Sequence, residues 1–406
     1  MLIMTKYTLQ QKTSTNSELT HLLIESENLE FLINELKNNE FGLQNSIDLC
    51  YIDPPYNTGN TEATNFTYND SFKKDEWYEF MKSRLLPLKA LLRKTGVIIT
   101  SIDDSEVHHL RVLMDEVFGA RNFIAQLVID GGNPKNNARY FSVTHEYMLV
   151  YANNINELGK SGIKWRKERE GIDDLLHEYE KLKKGKKTNS EITAHLKVWI
   201  KTQPFSKRLK VFYNADNKGL YTYADLSTPG QGGQYDVMHP LTHKACQIPS
   251  RGWGLSEEKM LKLISDDMIL FGVDEKAQPL KKLYLKNTKD QVQKAILEYP
   301  SRSSTHLLEK LLGRRSSFNN AKNLQMMKDI ISLTVPKNGI VLDYFAGSGT
   351  TGHAVLELNR ENKEERKFVL VTNNENNIFV TVTKPRLLKV HDLLKDTDNI
   401  SIYAEE

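Results

Sequence analysis

Two stretches of this sequence combine residue types that could do chemistry together. The first is Asp53-Pro54-Pro55-Tyr56. An amine conjugated to an aromatic base is a poor nucleophile, because its lone pair is spread into the ring. A site that alkylates it must polarise the nitrogen as it becomes tetrahedral, and two hydrogen-bond acceptors do this. Asp53 offers a carboxylate oxygen. The Pro54 carbonyl, held by the stiff Pro54-Pro55 unit, offers an acceptor that cannot swing away. Tyr56 offers a flat face on which a base could stack. The plainer alternative is a rigid turn after a strand, with Tyr56 packed in the core.

The second stretch is Asp343-Tyr344-Phe345-Ala346-Gly347-Ser348-Gly349-Thr350-Thr351. It follows an apolar, strand-like run and opens a helix. Its glycines allow close backbone approach of a ligand, and the helix start presents free N–H groups. No lysine follows Gly349, which excludes a phosphate-binding P-loop. Gly347, Gly349 and Gly352 match the dinucleotide spacing, yet the strand ends in Asp343, whose charge repels a pyrophosphate. An aspartate there suits S-adenosylmethionine, which carries an ammonium and a sulfonium and no phosphate. A second carboxylate after the next strand usually takes ribose hydroxyls, and Glu375 stands at that place. An ordinary strand–turn–helix crossover would also use these glycines.

The surrounding pattern supplies elements to position both stretches. Residues 22–26, 46–52, 97–102, 339–343 and 367–372 read as strands. Helices are expected over 28–38, 76–94, 105–118, 321–334 and from the glycine turn to about Leu358. Pro87 predicts a kink or break in the second of these, and Gly96 its end. Runs 123–129 and 146–151 could pair as a hairpin. Alternating strands and helices predict an α/β domain with a mostly parallel sheet. In such a sheet, loops at the strands' carboxyl ends hold the ligands. The domain reading is an N-terminal tail (1–19), a catalytic first part (20–151), an insert (152–318), and a second part with the glycine turn (319–406). Within the insert, 160–210 is lysine-rich and weakly periodic, and 215–254 suggests loops and short strands.

The chain has 406 residues, enough for two or three domains and a sizeable core. With 39% hydrophobic and 26% charged residues, it fits neither a multi-span membrane protein nor a wholly disordered one. Its net charge of +3 is too small to reveal a nucleic-acid partner by itself, so local basic segments must do so. Cys50 and Cys246 form no Cys-x-x-Cys pair, which disfavours zinc and disulfides. No bound metal is expected, and the reading is of a soluble, cytoplasmic protein with no membrane partner.

In this order, the two stretches resemble the beta-class amino DNA methyltransferases, and most of all the modification (Mod) subunits of type III restriction-modification systems. Further similar stretches are Asn28-Leu29-Glu30, Phe66-Thr67-Tyr68-Asn69-Asp70, Ser101-Ile102-Asp103-Asp104, Thr144-His145-Glu146-Tyr147, Gly252-Trp253-Gly254 and Asn373-Asn374-Glu375. The resemblance covers roughly residues 20–395. It implies a Rossmann-like methyltransferase sheet of seven strands with a terminal hairpin, interrupted by a target-recognition insert. It implies S-adenosylmethionine as cofactor, double-stranded DNA as partner, and methylation of the exocyclic amine of a flipped adenine. A homodimer and a restriction (Res) subunit are compatible with it. Carried over by position, Asp53, Pro54, Pro55 and Tyr56 are catalytic or hold the base. Asp343, Phe345, Ala346, Gly347, Ser348, Gly349, Thr350 and Glu375 line the cofactor. The family's cofactor-touching Asn-Pro-Lys-Pro stretch reads Asn319-Asn320-Ala321-Lys322-Asn323 here, so Lys322 is retained and the prolines are not. The chain is also shorter than such subunits usually are.

Lys201, Lys207, Arg208 and Lys210, interleaved with Phe205, Phe212 and Tyr213, are expected to face DNA. The lysines of 181–187 could track phosphates or form a solvated linker, and Gly230–Tyr235 reads as a flexible loop near DNA. His145-Glu146 is expected to be a hydrogen-bonded structural pair, and His108-His109 to be half solvated. Cys246 follows Ala245 rather than proline, so the nucleophile of carbon-5 cytosine methylation is missing. The rival readings are exocyclic-amino cytosine methylation, an RNA methyltransferase, and a non-catalytic DNA-recognition subunit that retains the fold.

Overall fold

Ile47–Ile52 (IDLCYI) is buried at every position, the mark of a strand covered on both faces. The computed structural model describes residues 6–14, 19–59, 70–132, 139–205, 207–300, 302–313, 321–395 and 398–405. Within them the chain divides into two compact units, 1–165 with 294–406, and 166–293.

The first unit is built on strands β1 (Tyr7–Lys12), β2 (Thr20–Glu25), β3 (Ile47–Ile52), β4 (Leu92–Ile102), β5 (Phe123–Asp130) and β6 (His145–Ala152). Strands Ile296–Glu298, Ile340–Asp343, Lys367–Thr372 and Asn399–Glu405 complete the sheet. Its order is β1, Asn399–Glu405, β2, Lys367–Thr372, Ile340–Asp343, β3, β4, β6, β5, Ile296–Glu298. The run from β2 to β4 is parallel, and β6 turns antiparallel between β4 and β5. The expected seven-stranded sheet with its terminal hairpin is therefore present, inside a sheet of ten. The three additional strands lie at or next to the edges. β1 is almost wholly exposed, so its sequence has no apolar alternation to announce it, and the expected 1–19 tail carries it.

Side chains alternate across β3. Leu49 and Tyr51 join the core under helices Leu324–Thr334, Thr350–Asn362 and Lys384–Leu393. Cys50 and Ile52 join the opposite core, under α1 (Asn28–Asn38), α2 (Lys74–Leu91) and α3 (Val107–Met114). Helices thus cover both faces. Asp48 is buried in this strand, accepts from Ile340 N at 2.9 Å and pairs with Arg93 at 3.1 Å.

Two local expectations change. α2 runs through Pro87 without a break and stops at Leu91. Gly96 lies inside β4, where a Cβ would meet the Ile47 carbonyl at 2.6 Å, so close strand approach explains it. α3 also ends early, in a π-helical turn over Asp115–Gly119.

The second unit is narrower than the 152–318 insert. Helices Ile172–Lys184 and Asn189–Thr202 fill much of the stretch read as weakly periodic. Their apolar stripes are thin: Ile172, Leu175 and Tyr179 on one, Ile192, Leu196 and Ile200 on the other. A four-stranded antiparallel sheet, ordered Ile269–Leu270, Leu280–Tyr284, Gly219–Ala224, Asn214–Asp216, and a pair, Arg166–Glu168 with Asp290–Val292, complete the unit.

Candidate active site

β3 and Ile340–Asp343 are parallel neighbours, with Leu49 opposite Val341 and Cys50 opposite Leu342. Their carboxyl ends therefore open side by side, and with them the Asp53–Gly59 loop and the glycine turn. A cavity of about 280 Å³ lies there. Asp53 and Pro55 line it from one loop, and Asp343, Phe345, Ala346, Gly347, Ser348 and Thr350 from the other. Glu375 and Lys322 line it as well.

The tetrad loop is held by side chains from elsewhere. Trp77 Nε1, fully buried on α2, donates to the Pro55 carbonyl at 2.8 Å. Buried Asp70 accepts from the backbone N–H of Asn57 at 2.9 Å and of Thr58 at 3.2 Å, and from the Thr58 hydroxyl. Asn57 takes a left-handed φ of 57°, which asparagine tolerates, and its amide donates to buried Glu106 at 2.7 Å. No donor among the described residues reaches the Pro54 carbonyl. Phe66–Asn69 of the similar stretches lies outside the described residues.

Asp53 and Tyr56 belong to a four-membered polar cluster. Tyr56 Oη lies 2.8 Å from Asp53 Oδ1 and 2.9 Å from Glu146 Oε2. Lys322 Nζ lies 2.6 Å from Tyr56 Oη, 2.6 Å from Glu146 Oε2 and 3.1 Å from Asp53 Oδ1. Burial pushes the Asp53 carboxyl up, Lys322 pulls it back, and Glu146 adds to the rise. Burial works against charge on Lys322, but Asp53 and Glu146 outweigh it and hold its ammonium above the usual lysine range. Helix Leu324–Thr334 starts three residues later than expected, capped by Asn323. Lys322 is thereby left on extended chain, free to reach the carboxylates. Asn319 and Asn320 lie outside the described residues.

The glycine turn is pinned from beneath. Gly347 and Gly349 both take positive φ, 48° and 77°, which only glycine adopts without strain. Asp343 Oδ1 accepts from Phe345 N at 3.0 Å and its Oδ2 from the Thr351 hydroxyl at 2.5 Å. Burial pushes the Asp343 carboxyl up to about 7. Arg386, fully buried on helix Lys384–Leu393, donates to the Ser348 carbonyl at 3.2 Å, Ser348 Oγ at 3.1 Å and Thr350 Oγ1 at 2.8 Å. Across the cavity, Glu27 caps α1 and pairs with Arg84 at 2.6 Å, while Asn28 Nδ2 donates to the Tyr344 carbonyl at 3.1 Å.

Sequence reasoning missed several of these residues. Glu146 was expected to be a structural pair with His145; instead the strand sends them to opposite faces, Glu146 to Asp53's cluster and His145 to Tyr147 Oη at 2.9 Å. Strand alternation through His145–Tyr147 was the available signal. Arg386 and Trp77 had no local signal, since each acts over many residues of chain, while Asp70 ends one of the similar stretches but with no role read for it. His108 is exposed and His109 half-buried against Glu106 at 2.7 Å. No group that could hold a metal occurs among the described residues. No helix among them is long and apolar enough to cross a membrane.

In the second unit Lys201, Lys207 and Arg208 are exposed, and Lys210 is half-buried with its Nζ 3.4 Å from the Lys201 carbonyl. Phe205 and Phe212 instead fill that unit's core, and of the three interleaved aromatics Tyr213 alone stays half-buried. Apolar burial outweighed their basic neighbours. The lysines of 181–187 are exposed, in the last turn of helix Ile172–Lys184 and just after it. Gly232 and Gly233 pair with Arg251 and Trp253 through backbone hydrogen bonds of 2.8 and 2.9 Å, so this part of 230–235 is a packed bridge.

Sequence comparison agrees with this layout. A model of the DNA methylase family matches residues 47–378, spanning both loops and everything between them. The chain belongs to that family. This DNA methylase is 31% identical to the Mod subunit of the EcoP15I type III restriction-modification enzyme of Escherichia coli, over 95% of this chain and 65% of that one. It is 31% identical to the EcoPI Mod subunit of Escherichia phage P1, over 90% of this chain and 59% of that one. It is 28% identical to the type II methyltransferase M.KpnI of Klebsiella pneumoniae, over 81% of this chain and 76% of that one. The methylase thus spans less than two thirds of the length of those type III subunits.

Proposed function

We propose that this chain is an S-adenosylmethionine-dependent DNA adenine methyltransferase, the modification component of a restriction-modification system. The observation that carries this is the meeting of Asp53 and the acidic glycine turn in one cavity, at the carboxyl ends of adjacent parallel strands. The lining suits a cationic nucleoside. Asp343, Glu375 and Glu27 supply negative charge, while Phe80, Phe345 and Ile378 supply apolar surface. A pyrophosphate would meet carboxylates instead. Asp343 and the backbone of Gly347 to Thr350 would hold the amino-acid end, and Glu375 the ribose. Bound there, S-adenosylmethionine supplies an electrophilic methyl group.

The chain's own contribution falls to the tetrad. Asp53 and the open Pro54 carbonyl accept from the amine, raising electron density on nitrogen for direct in-line attack. Tyr56 gives the flipped base a face to stack on. Lys201, Lys207, Arg208 and Lys210 would meet DNA phosphates in this reading, supported by the exposure of the first three. The type III relatives make a restriction subunit the partner to look for, and a homodimer is the assembly to test.

Transfer of labelled methyl groups to duplex DNA tests the proposal. The expected result is incorporation as N6-methyladenine and a loss of about 10³-fold in Asp53→Ala, in line with removal of a positioned proton acceptor. Absence of incorporation into any genomic DNA, or full activity of Asp53→Ala, would overturn it. Methylated cytosine among the digested nucleosides would replace adenine as the target base.

A further inference from the structure

The cluster beside the tetrad is one hydrogen short. Its polar atoms make five close contacts: Tyr56 to Asp53, Tyr56 to Glu146, and Lys322 to each of Asp53, Glu146 and Tyr56. With both carboxyls ionised, the lysine brings three hydrogens and the tyrosine one. Four hydrogens cannot satisfy five contacts. Tyr56 Oη in particular lies within 2.9 Å of two carboxylate oxygens and can donate to only one. A fifth hydrogen, on either carboxyl, would complete the set.

Methylation of an exocyclic amine releases exactly one proton. Resting on the function proposed above, we propose that Glu146, reached through the Tyr56 hydroxyl, collects the proton that Asp53 takes from the substrate amine. The nitrogen–methyl bond forms as the donor's sulfur–carbon bond breaks, the sulfur keeping the electron pair. The nitrogen then gives its proton to Asp53 Oδ1. Tyr56 Oη receives that proton and passes its own to Glu146 Oε2. Glu146 is 26% exposed at its side chain, an outlet to water once the base has left. Lys322 stays charged and holds the two carboxylates on either side of the hydroxyl.

Glu146 touches neither base nor methyl donor in this scheme, so it is a positioning residue acting through Tyr56. The charged or titratable groups around it come from three segments: Asp53 and Tyr56 from the tetrad loop, Tyr51 from β3, and Lys322 from the chain before helix Leu324–Thr334. Asp343 acts on the cluster through Asp53. His145 is turned away to Tyr147.

The test uses the full chain and single-turnover methyl transfer to duplex DNA. Glu146→Gln is expected to slow transfer about 100-fold, within the usual range for proton-transfer assistance, with S-adenosylmethionine affinity by calorimetry unchanged. The acid limb of its rate profile moves to lower pH, because the neighbouring negative charge that raises Asp53 is gone. Tyr56→Phe keeps the ring for stacking and removes only the relay oxygen. It is expected to lose at least tenfold in rate and serves as the test should Glu146→Gln not fold. Wild-type rate with an unmoved acid limb in Glu146→Gln, or full rate in Tyr56→Phe, would overturn this inference alone. A wild-type chain that methylates no DNA would instead remove the function on which it rests.

Discussion

The tetrad loop is clamped from outside by Trp77, Asp70 and Glu106, whereas the glycine turn is pinned from beneath by Arg386 and its own Asp343. In the first case the clamps seize the Pro55 carbonyl, the Asn57 and Thr58 amides and the side chains of Asn57 and Thr58. The Asp53 carboxylate is left to a small charged cluster. In the second, the anchors occupy the hydroxyls of Ser348, Thr350 and Thr351, and the binding aspartate is itself part of the scaffold. A base that must enter and leave meets a carboxylate held by side chains, those of Tyr56 and Lys322. A donor that must sit still meets a turn welded to the core.

That contrast can be broken where it is strongest. Asp343 carries both duties, and burial lifts its carboxyl to about 7 in the free protein. Below that pH the neutral form dominates, while a cationic donor prefers the ionised form, so uptake must expel a proton. The dissociation constant for S-adenosylmethionine is therefore expected to rise about tenfold per pH unit below 7 and to be flat above it. Asp343→Asn should bind weakly at all pH values, without that slope. Titration calorimetry at pH 5.5, 6.5 and 8 decides; a pH-independent wild type contradicts this role.

Next in size is Arg386→Met, which strips three hydrogen bonds from Ser348 and Thr350. Hydrogen bonds to charged groups contribute about 1.5–3 kcal/mol each. With partial repacking, a loss of about 3 kcal/mol in denaturant unfolding and about tenfold in donor affinity is expected. Unchanged donor affinity would show that the turn holds its shape alone. The smallest effect belongs to the other loop. Trp77→Phe removes one hydrogen bond to Pro55 and part of a buried ring, so about 2 kcal/mol of stability should go. Donor affinity should stay as it was, and a matching drop there would erase the distinction between the two loops.

The central fold was legible because its strands are buried on both faces and need no long-range information to be seen. β3 and Ile340–Asp343 read as strands from composition alone. The edges were not: β1 alternates nothing, since solvent covers nearly all of it. Within the site, residues in the two loops stood out because proline and glycine restrict or free the backbone where they occur. The side chains that hold them did not. Glu146, Arg386 and Trp77 look like any strand or helix residue until the sheet brings their distant partners close. Phe205 and Phe212 misled in the opposite direction, their basic neighbours hiding two ordinary core positions.

The strand pairing at the centre of the sheet also governs when the molecule can become competent. Asp53 and Asp343 are 290 positions apart, 53 against 343. At a translation speed of about 5–20 residues per second, roughly 15–60 s separate their appearance at the ribosome. Once β4 is made, β3 can pair with it on one flank but lacks Ile340–Asp343 on the other, leaving an apolar edge open to wrong partners. Nascent chains that stop short of Ile340–Asp343 should thus be inactive and prone to aggregate.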